Sequence, residues 1–346
     1  MVAHAVGIIA HCRCGKSLSG KFDVARLFVV PHPDFKRLFG QPHVSYFVAN
    51  RRGSVVEYGL PDAPVTRCFI QAQTFPQLSR SERPMTAENA ETHERAIRDQ
   101  FSRQAVGFAA APELHADDIV ALVVDAAKPQ PEDKAIDLAC GPGTVACALA
   151  QRVRHVVGLD STLPMLEQAR GFARQQSVDN VEWRAGDVYQ TPFADGSFNI
   201  VTCRFAFHHF EKPALAFAEM VRLAATRGRV VVCDGLASEE PAKAEAFNAM
   251  ERRRDPSTVE FRTLPYLRRL FEAAGLSDPQ VQRFDLSYLA SDLVARSFPA
   301  NDDRAGLLAM IESTVEGDKM DVGAHWTPEG VRFAFRSAVL SAVKPG

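Results

Sequence analysis

The sequence predicts an α/β fold, a mostly parallel sheet doubly wound with helices on both faces, and three observations predict it. Short strand-like stretches at 135–138, 156–159, 181–184, 198–203 and 229–233, most of them apolar, alternate with segments of helical period. The first run leads into Asp137-Leu138-Ala139-Cys140-Gly141-Pro142-Gly143-Thr144, a carboxylate followed by two glycines and a new apolar stretch, which reads as strand, tight turn, helix. The second run, His155-Val156-Val157-Gly158-Leu159, closes on another carboxylate, Asp160. Strands alternating with helices at such short intervals argue for a parallel sheet covered on both sides.

In chain order, residues 1–84 hold short apolar bursts broken by seven prolines (31, 33, 42, 61, 64, 76 and 84) and no sustained helical period. The texture changes after Met85. The first 84 residues are therefore expected to be an extension of doubtful function, with a mis-assigned start as its origin; a small basic accessory domain is the rival reading. A helix is expected over 92–108, another over 117–127 that stops before Lys128-Pro129, and then the first strand. Helices at about 144–152, 164–176 and 213–224 separate the next strands, with Ala194-Asp195-Gly196 and Arg227-Gly228 as turns. Beyond Asp234 a charged helical insertion over 239–254 interrupts the alternation. A helix over 264–274 ending on Gly275, a strand over 281–286, a helical insertion over 290–316 and a last edge strand over 331–343 complete the chain.

Length allows one large or two ordinary domains, and the charge is near balance, 40 Lys/Arg against 42 Asp/Glu. Residues 1–84 carry 11 Lys/Arg against 5 Asp/Glu and the remainder 29 against 37, so the main domain has no basic stripe for nucleic acid. Seven cysteines, four of them inside apolar patterns, suit reduced buried thiols and a cytoplasmic location. Cys12-x-Cys14 lacks a second pair at ligand spacing, and no metal site is expected. No stretch approaches the ~20 apolar residues that span a bilayer.

Taken as an ordered set, Asp137 to Thr144, Asp160, Gly186-Asp187-Val188 and Phe205-Ala206-Phe207-His208-His209-Phe210 resemble the class I S-adenosylmethionine-dependent methyltransferases, in the branch with the ubiquinone and menaquinone biosynthesis enzymes. The resemblance runs from about residue 97 to the C terminus. It implies a Rossmann-like sheet with a C-terminal antiparallel edge strand and helical lid insertions, a cofactor core over about 134–234, and an acceptor lid and sheet completion over 235–346. Its implied cofactor is S-adenosyl-L-methionine, held by Asp137 at the ammonium, by main chain around Ala139, Gly141 and Gly143, and by Asp160 at the ribose. Ser161 and Met165 pack beside the nucleoside, Gly186, Asp187 and Val188 meet the adenine, and Arg204 lines the pocket through its backbone.

The residues bear this chemistry. Glycine at 141 and 143 removes Cβ atoms where a ligand would lie against the main chain, and a carboxylate can accept from both hydroxyls of a ribose. His208 and His209 are the nearest candidate bases, although one ring is expected to be packed, and proximity alone can suffice for methyl transfer. The expected partner is a small-molecule acceptor, aromatic or amphipathic, methylated on carbon or oxygen; a homodimer is left open. Two rival functions remain. Gly141-x-Gly143-x-x-Ala146 also satisfies a dinucleotide fingerprint, as in an NAD(P)-dependent oxidoreductase, but Asp137 would then face a pyrophosphate. The other rival is a catalytically silent cofactor-binding module.

Overall fold

The computed structural model describes residues 117–346 except 277, together with residues 100 and 101 and the backbone of 46–49 and 55–58. Two compact units meet in sequence at Pro84 and Met85. In the first, β1 (Tyr46–Ala49) and β2 (Val55–Tyr58) pair antiparallel, a hairpin that the proline-broken sequence does not announce. The helix expected over 92–108 lies outside the described residues except at 100 and 101, which are helical.

In the second unit, α1 (Asp117–Ala127) leads to β3 (Lys134–Leu138), α2 (Thr144–Ala150), β4 (His155–Asp160), α3 (Leu163–Gln175), β5 (Val181–Ala185) and β6 (Phe198–Arg204). Then come α4 (Pro213–Leu223), β7 (Ala224–Gly235), α5 (Pro241–Arg254), α6 (Leu264–Ala273) and β8 (Gln280–Leu289). The chain ends with α7 (Ala290–Arg296), α8 (Arg304–Glu312), β9 (His325–Thr327) and β10 (Gly330–Val343). Proline stands in the first turn of α3, α4, α5 and α6, where its missing N–H would have had no partner and its fixed φ already suits a helix. Gly275, at φ +74°, ends α6 as expected, with the Leu276 amide returning to the Phe271 carbonyl.

The strands order as β5-β4-β3-β6-β7-β10-β8, with the first five parallel and β10 antiparallel to both of its neighbours. The antiparallel edge is a pair: β10 lies inside it and β8 is outermost, since Val339 and Leu340 are apolar and fully covered while alternate residues of β8 face solvent. β7 is longer than its sequence suggests. It runs through Arg227-Gly228, where Arg227 sits at φ +62° and the pairing with β6 slips, so the expected turn is a bulge within the strand.

Three apolar clusters hold the unit. Val120, Val123, Val124, Val145 and Leu149 of α1 and α2 pack on one face of the sheet, while Phe217, Met220, Leu267 and Phe271 of α4 and α6 pack on the other. Fully burying one such side chain is worth about 1.5–3 kcal/mol. The third cluster joins the insertions, with Phe247, Met250, Phe261, Leu307 and Ile311 closing against Tyr288, Phe333 and Phe335. The chain turns from β3 outward to β4 on one side and back to β6 on the other, which opens a crevice at the carboxyl ends of these strands.

Candidate cofactor site

A cavity of about 520 Å³ opens at that crevice. Asp137, Ala139, Gly141, Asp160, Ser161, Met165, Gly186, Asp187, Val188, Arg204 and His209 all line it. Sequence reasoning missed Phe101, Cys140, Pro142, Tyr189, Phe210 and Leu215 in the same wall. Phe210 carried a signal, the aromatic run after β6, although such residues are more often core.

Each acid stands at a strand tip for a reason of register. Asp137 is the fourth residue of β3, 2% exposed, and accepts from Thr202 Oγ on the neighbouring strand at 2.7 Å. Burial raises its pKa to about 7 against the pull of the Thr202 hydroxyl and the Arg204 guanidinium, with the Asp160 charge adding to the rise. A buried acid facing a cavity in this state is matched by a ligand cation, which restores its charge. Asp160 accepts from the Gly141 amide at 2.9 Å and from the Thr162 amide at 2.8 Å, one on each oxygen. Burial raises its pKa while those amides oppose the rise. The Thr162 hydroxyl and the Ser161 amide add to that opposition, so the carboxylate is held by the turn that follows β4. Asp187 is exposed at the rim and caps its own turn through the Tyr189 amide at 2.9 Å.

The two loop glycines divide their work. Gly141 has φ +53°, and a Cβ built on it meets nothing within 4 Å, so the cradle there is open toward the cavity. Gly143 does not line the cavity. Its φ is +86° and its Cβ would lie 2.5 Å from Trp183 Cη2, while a Cβ on Gly158 would lie 2.5 Å from the same indole. Gly143 and Gly158 therefore seat Trp183, a packing role that corrects the expectation of ligand contact at 143. Both loop amides are also engaged within the protein, Gly141 N with Asp160 and Gly143 N with the Cys140 carbonyl. They do not wait for a carboxylate. Ala139 and Phe205, the residues after β3 and β6, hold positive φ of 52° each, an unfavoured conformation that the surrounding packing sustains at the cavity wall.

The two histidines separate as well. His208 does not line the cavity: its backbone N–H and Nδ1 both meet the Asp234 carboxylate, at 2.9 and 2.7 Å, and its ring stacks on Phe261 at 4.1 Å. His209 lines the cavity in edge contact with Phe101 and turns Nδ1 toward the Ser257 carbonyl at 3.0 Å. Burial, then the neighbouring His208, lower its pKa to about 3. Arg204, over the Phe205 ring at 4.9 Å, has its pKa lowered by burial. The insertions expected as a lid form the third apolar cluster and touch the wall from behind, through His209 and Phe205; no residue beyond Leu215 is among the lining residues.

Residues 136–232 match the family model described as a methyltransferase domain. The chain is an S-adenosyl-L-methionine-dependent methyltransferase. An uncharacterized methyltransferase, YcgJ of Bacillus subtilis, is 28% identical over 225 residues, covering 64% of this chain and 89% of that protein. The crystal structure of YcgJ superposes with TM-score 0.61 at 27% identity, covering 66% of this methyltransferase and 98% of YcgJ. A putative methyltransferase of Bacillus halodurans gives TM-score 0.62 at 29% identity over 66% and 99% of the two chains. A demethylmenaquinone methyltransferase of Renibacterium salmoninarum is 38% identical over 113 residues, 33% of this chain and 46% of its own length. The methyltransferase core is thus shared, and less than half of that relative is spanned. Among the described residues no helix is long and apolar enough to cross a membrane, and no three His, Cys, Asp or Glu side chains converge on a metal position.

Proposed function

We propose that this methyltransferase moves a methyl group to a small aromatic or amphipathic acceptor, on carbon or oxygen, by in-line displacement. The observation that carries the reading is the buried Asp137 carboxylate facing one cavity together with Asp160 and Asp187. The residues fit the cofactor: Asp137 would hold the ammonium, Asp160 the ribose hydroxyls, and Asp187 with the Val188 amide the adenine, while Met165 packs beside the nucleoside and the bare Gly141 lets it lie against the main chain. When bound, S-adenosyl-L-methionine supplies an activated methyl on a sulfonium. The protein's share is to align the acceptor and exclude water. Phe101, Phe205 and Phe210 offer aromatic faces, and one such face beside a cation contributes ~0.5–2 kcal/mol. His209, rather than His208, is the polar group on the acceptor side.

The nicotinamide reading is disfavoured by the same acids, because a pyrophosphate laid along this loop would meet Asp137 and Asp160 with the Gly141 amide already engaged. In a thermal-shift comparison S-adenosylhomocysteine at a hundred times its dissociation constant raises stability by about 2.7 kcal/mol and NADH gives no shift. A shift with NADH alone would refute the proposal.

A further inference from the structure

We propose that Glu219 and Arg222, at the end of α4, are positioning residues for the nucleobase end of the cavity: they fix the segment that carries Asp187, Val188 and Tyr189 and so let the site select a base with an exocyclic amine. The inference rests on the methyl-transfer reading above. It adds to that reading two residues outside the cavity wall and a source of selectivity for the base.

Residues 186–197 join β5 to β6, and Gly186, Asp187, Val188 and Tyr189 at their start line the cavity. Past Gln190 the chain is taken up by α4. Glu219 Oε1 accepts from the Thr191 amide at 2.8 Å and from the Thr191 hydroxyl at 2.7 Å. Arg222 meets both oxygens of that carboxylate, with Nε at 2.7 Å and Nη2 at 2.6 Å. Its Nη1 then donates to the Phe193 carbonyl and to Asp195 Oδ1, each at 2.7 Å. Although burial pushes the Glu219 pKa up, the Arg222 and Thr191 hydrogen bonds hold it below the usual carboxylate range. Thr191 is 7% exposed and Glu219 8%, so these charge-assisted bonds form away from water, where they are strong.

Returning the chain to β6 does not require this clamp. Phe193 packs edge-on against Phe198 at 5.2 Å, and the Gly196 amide meets the Arg222 carbonyl at 2.9 Å, which already lays the second half of the segment on the sheet. What Glu219 adds is a hold on Thr191, separated from the cavity wall by Gln190 alone. The wall segment is then tied at its start, its middle and its end. The Gly186 amide meets the Asp160 carbonyl at 3.0 Å, the Tyr189 hydroxyl accepts from the Lys212 amide at 3.3 Å, and Thr191 sits on Glu219. The last two ties belong to α4 and its cap, Lys212.

Asp187 is the residue that gains from such support. It stands exposed at the rim, where water competes for its carboxylate, and its side chain is held by its own turn through the Tyr189 amide at 2.9 Å. A carboxylate accepts from an amine but faces a carbonyl with another lone pair, so a fixed Asp187 distinguishes the two. On a loosened segment it turns to solvent, and the distinction is lost with the preorganisation.

The test titrates the full chain by calorimetry, well below the melting temperature of every variant, with S-adenosylhomocysteine and with S-inosylhomocysteine, whose base carries a carbonyl in place of the amine. The wild type is expected to prefer the amine by about tenfold or more. In Glu219→Ala that preference falls about fivefold through weaker S-adenosylhomocysteine binding, while S-inosylhomocysteine affinity is unchanged or tighter. Glu219→Gln, which keeps an oxygen for both Thr191 donors, retains most of the preference. Thr191→Val, which fills the same space without the hydroxyl, lowers it about twofold and decides the matter if Glu219→Ala does not fold. A clamp that only stabilises the fold would lower the melting temperature and leave the preference intact, or weaken both ligands alike; either result would overturn the proposal, as would a wild type that binds the two ligands equally. Failure of the wild type to bind S-adenosylhomocysteine would instead overturn the reading beneath it.

Discussion

Asparagine at position 137 is expected to raise the melting temperature of the cofactor-free protein above neutral pH and to weaken S-adenosylhomocysteine binding by about 100-fold. Both effects come from one buried carboxylate. In the folded chain its pKa rises from 3.8 to about 7, mainly through burial. Below about pH 4 the acid is protonated whether the chain is folded or not, and it costs nothing. Between about pH 4 and 7 the unfolded chain ionises while the folded one stays protonated, so stability falls as pH rises. Above about pH 7 the full penalty stands, on the order of 4 kcal/mol at ~1.4 kcal/mol per pKa unit. Asparagine keeps an acceptor for the Thr202 hydroxyl and carries no charge. The variant should therefore melt several degrees above wild type at about pH 8, with the gap closing toward about pH 4. The loss of binding has the opposite sign, because a ligand ammonium deprived of its buried partner forfeits about 2–5 kcal/mol. Calorimetric melting across pH, beside a binding titration, reads both. A pH-independent gap, or unchanged affinity, would contradict the account.

Alanine at 141 and alanine at 143 should separate binding from folding. At Gly141 the added methyl enters open cavity space and the positive φ costs ~1 kcal/mol, so the protein folds while S-adenosylhomocysteine affinity falls by more than about tenfold. At Gly143 the methyl would sit 2.5 Å from Trp183 Cη2 and 2.9 Å from the Ala169 Cβ, on a backbone at φ +86°. Overpacking of ~1–3 kcal/mol and backbone strain of ~1–2 kcal/mol add to a loss of about 2–5 kcal/mol. The surviving folded protein binds normally, and a second change, Trp183→Leu, recovers part of the loss by making room. Chemical denaturation of the three variants checks the stabilities. Equal affinity losses at 141 and 143 would show that both glycines touch the ligand.

The fold was legible where periodicity and breakers agree. From β3 to β7 the apolar runs, the strand-end acids and the first-turn prolines fix most elements to within a few residues, because β3, β4 and β6 lie in the middle of the sheet, are buried along most of their length and must be largely apolar. Past Asp234 the pattern loses that clarity. β8 is exposed along much of its length and β10 is covered, and nothing local says which of two antiparallel strands lies outermost. The Arg227-Gly228 pair reads as a turn by composition, but tertiary pairing of β7 with β6 and β10 carries the strand across it.

The site divides along similar lines. Asp137 and Asp160 were readable because they stand at the ends of apolar runs and Asp187 because it follows the next strand after a glycine, and their positions then follow from the shared register of β3, β4 and β5. Gly143 could not be told from Gly141, since the reason for it is an indole 40 residues on. Likewise the difference between His208 and His209 lies in Asp234 and Ser257, partners 26 and 48 residues away that no local pattern supplies.

The most direct test of the central claim is a crystal structure of the full chain with S-adenosylhomocysteine. The account predicts one nucleoside in the cavity, with its ammonium on Asp137, its ribose hydroxyls on Asp160 and its adenine against Asp187 and Val188. A nucleoside bound elsewhere, or bound with these acids turned to different cavities, would contradict it.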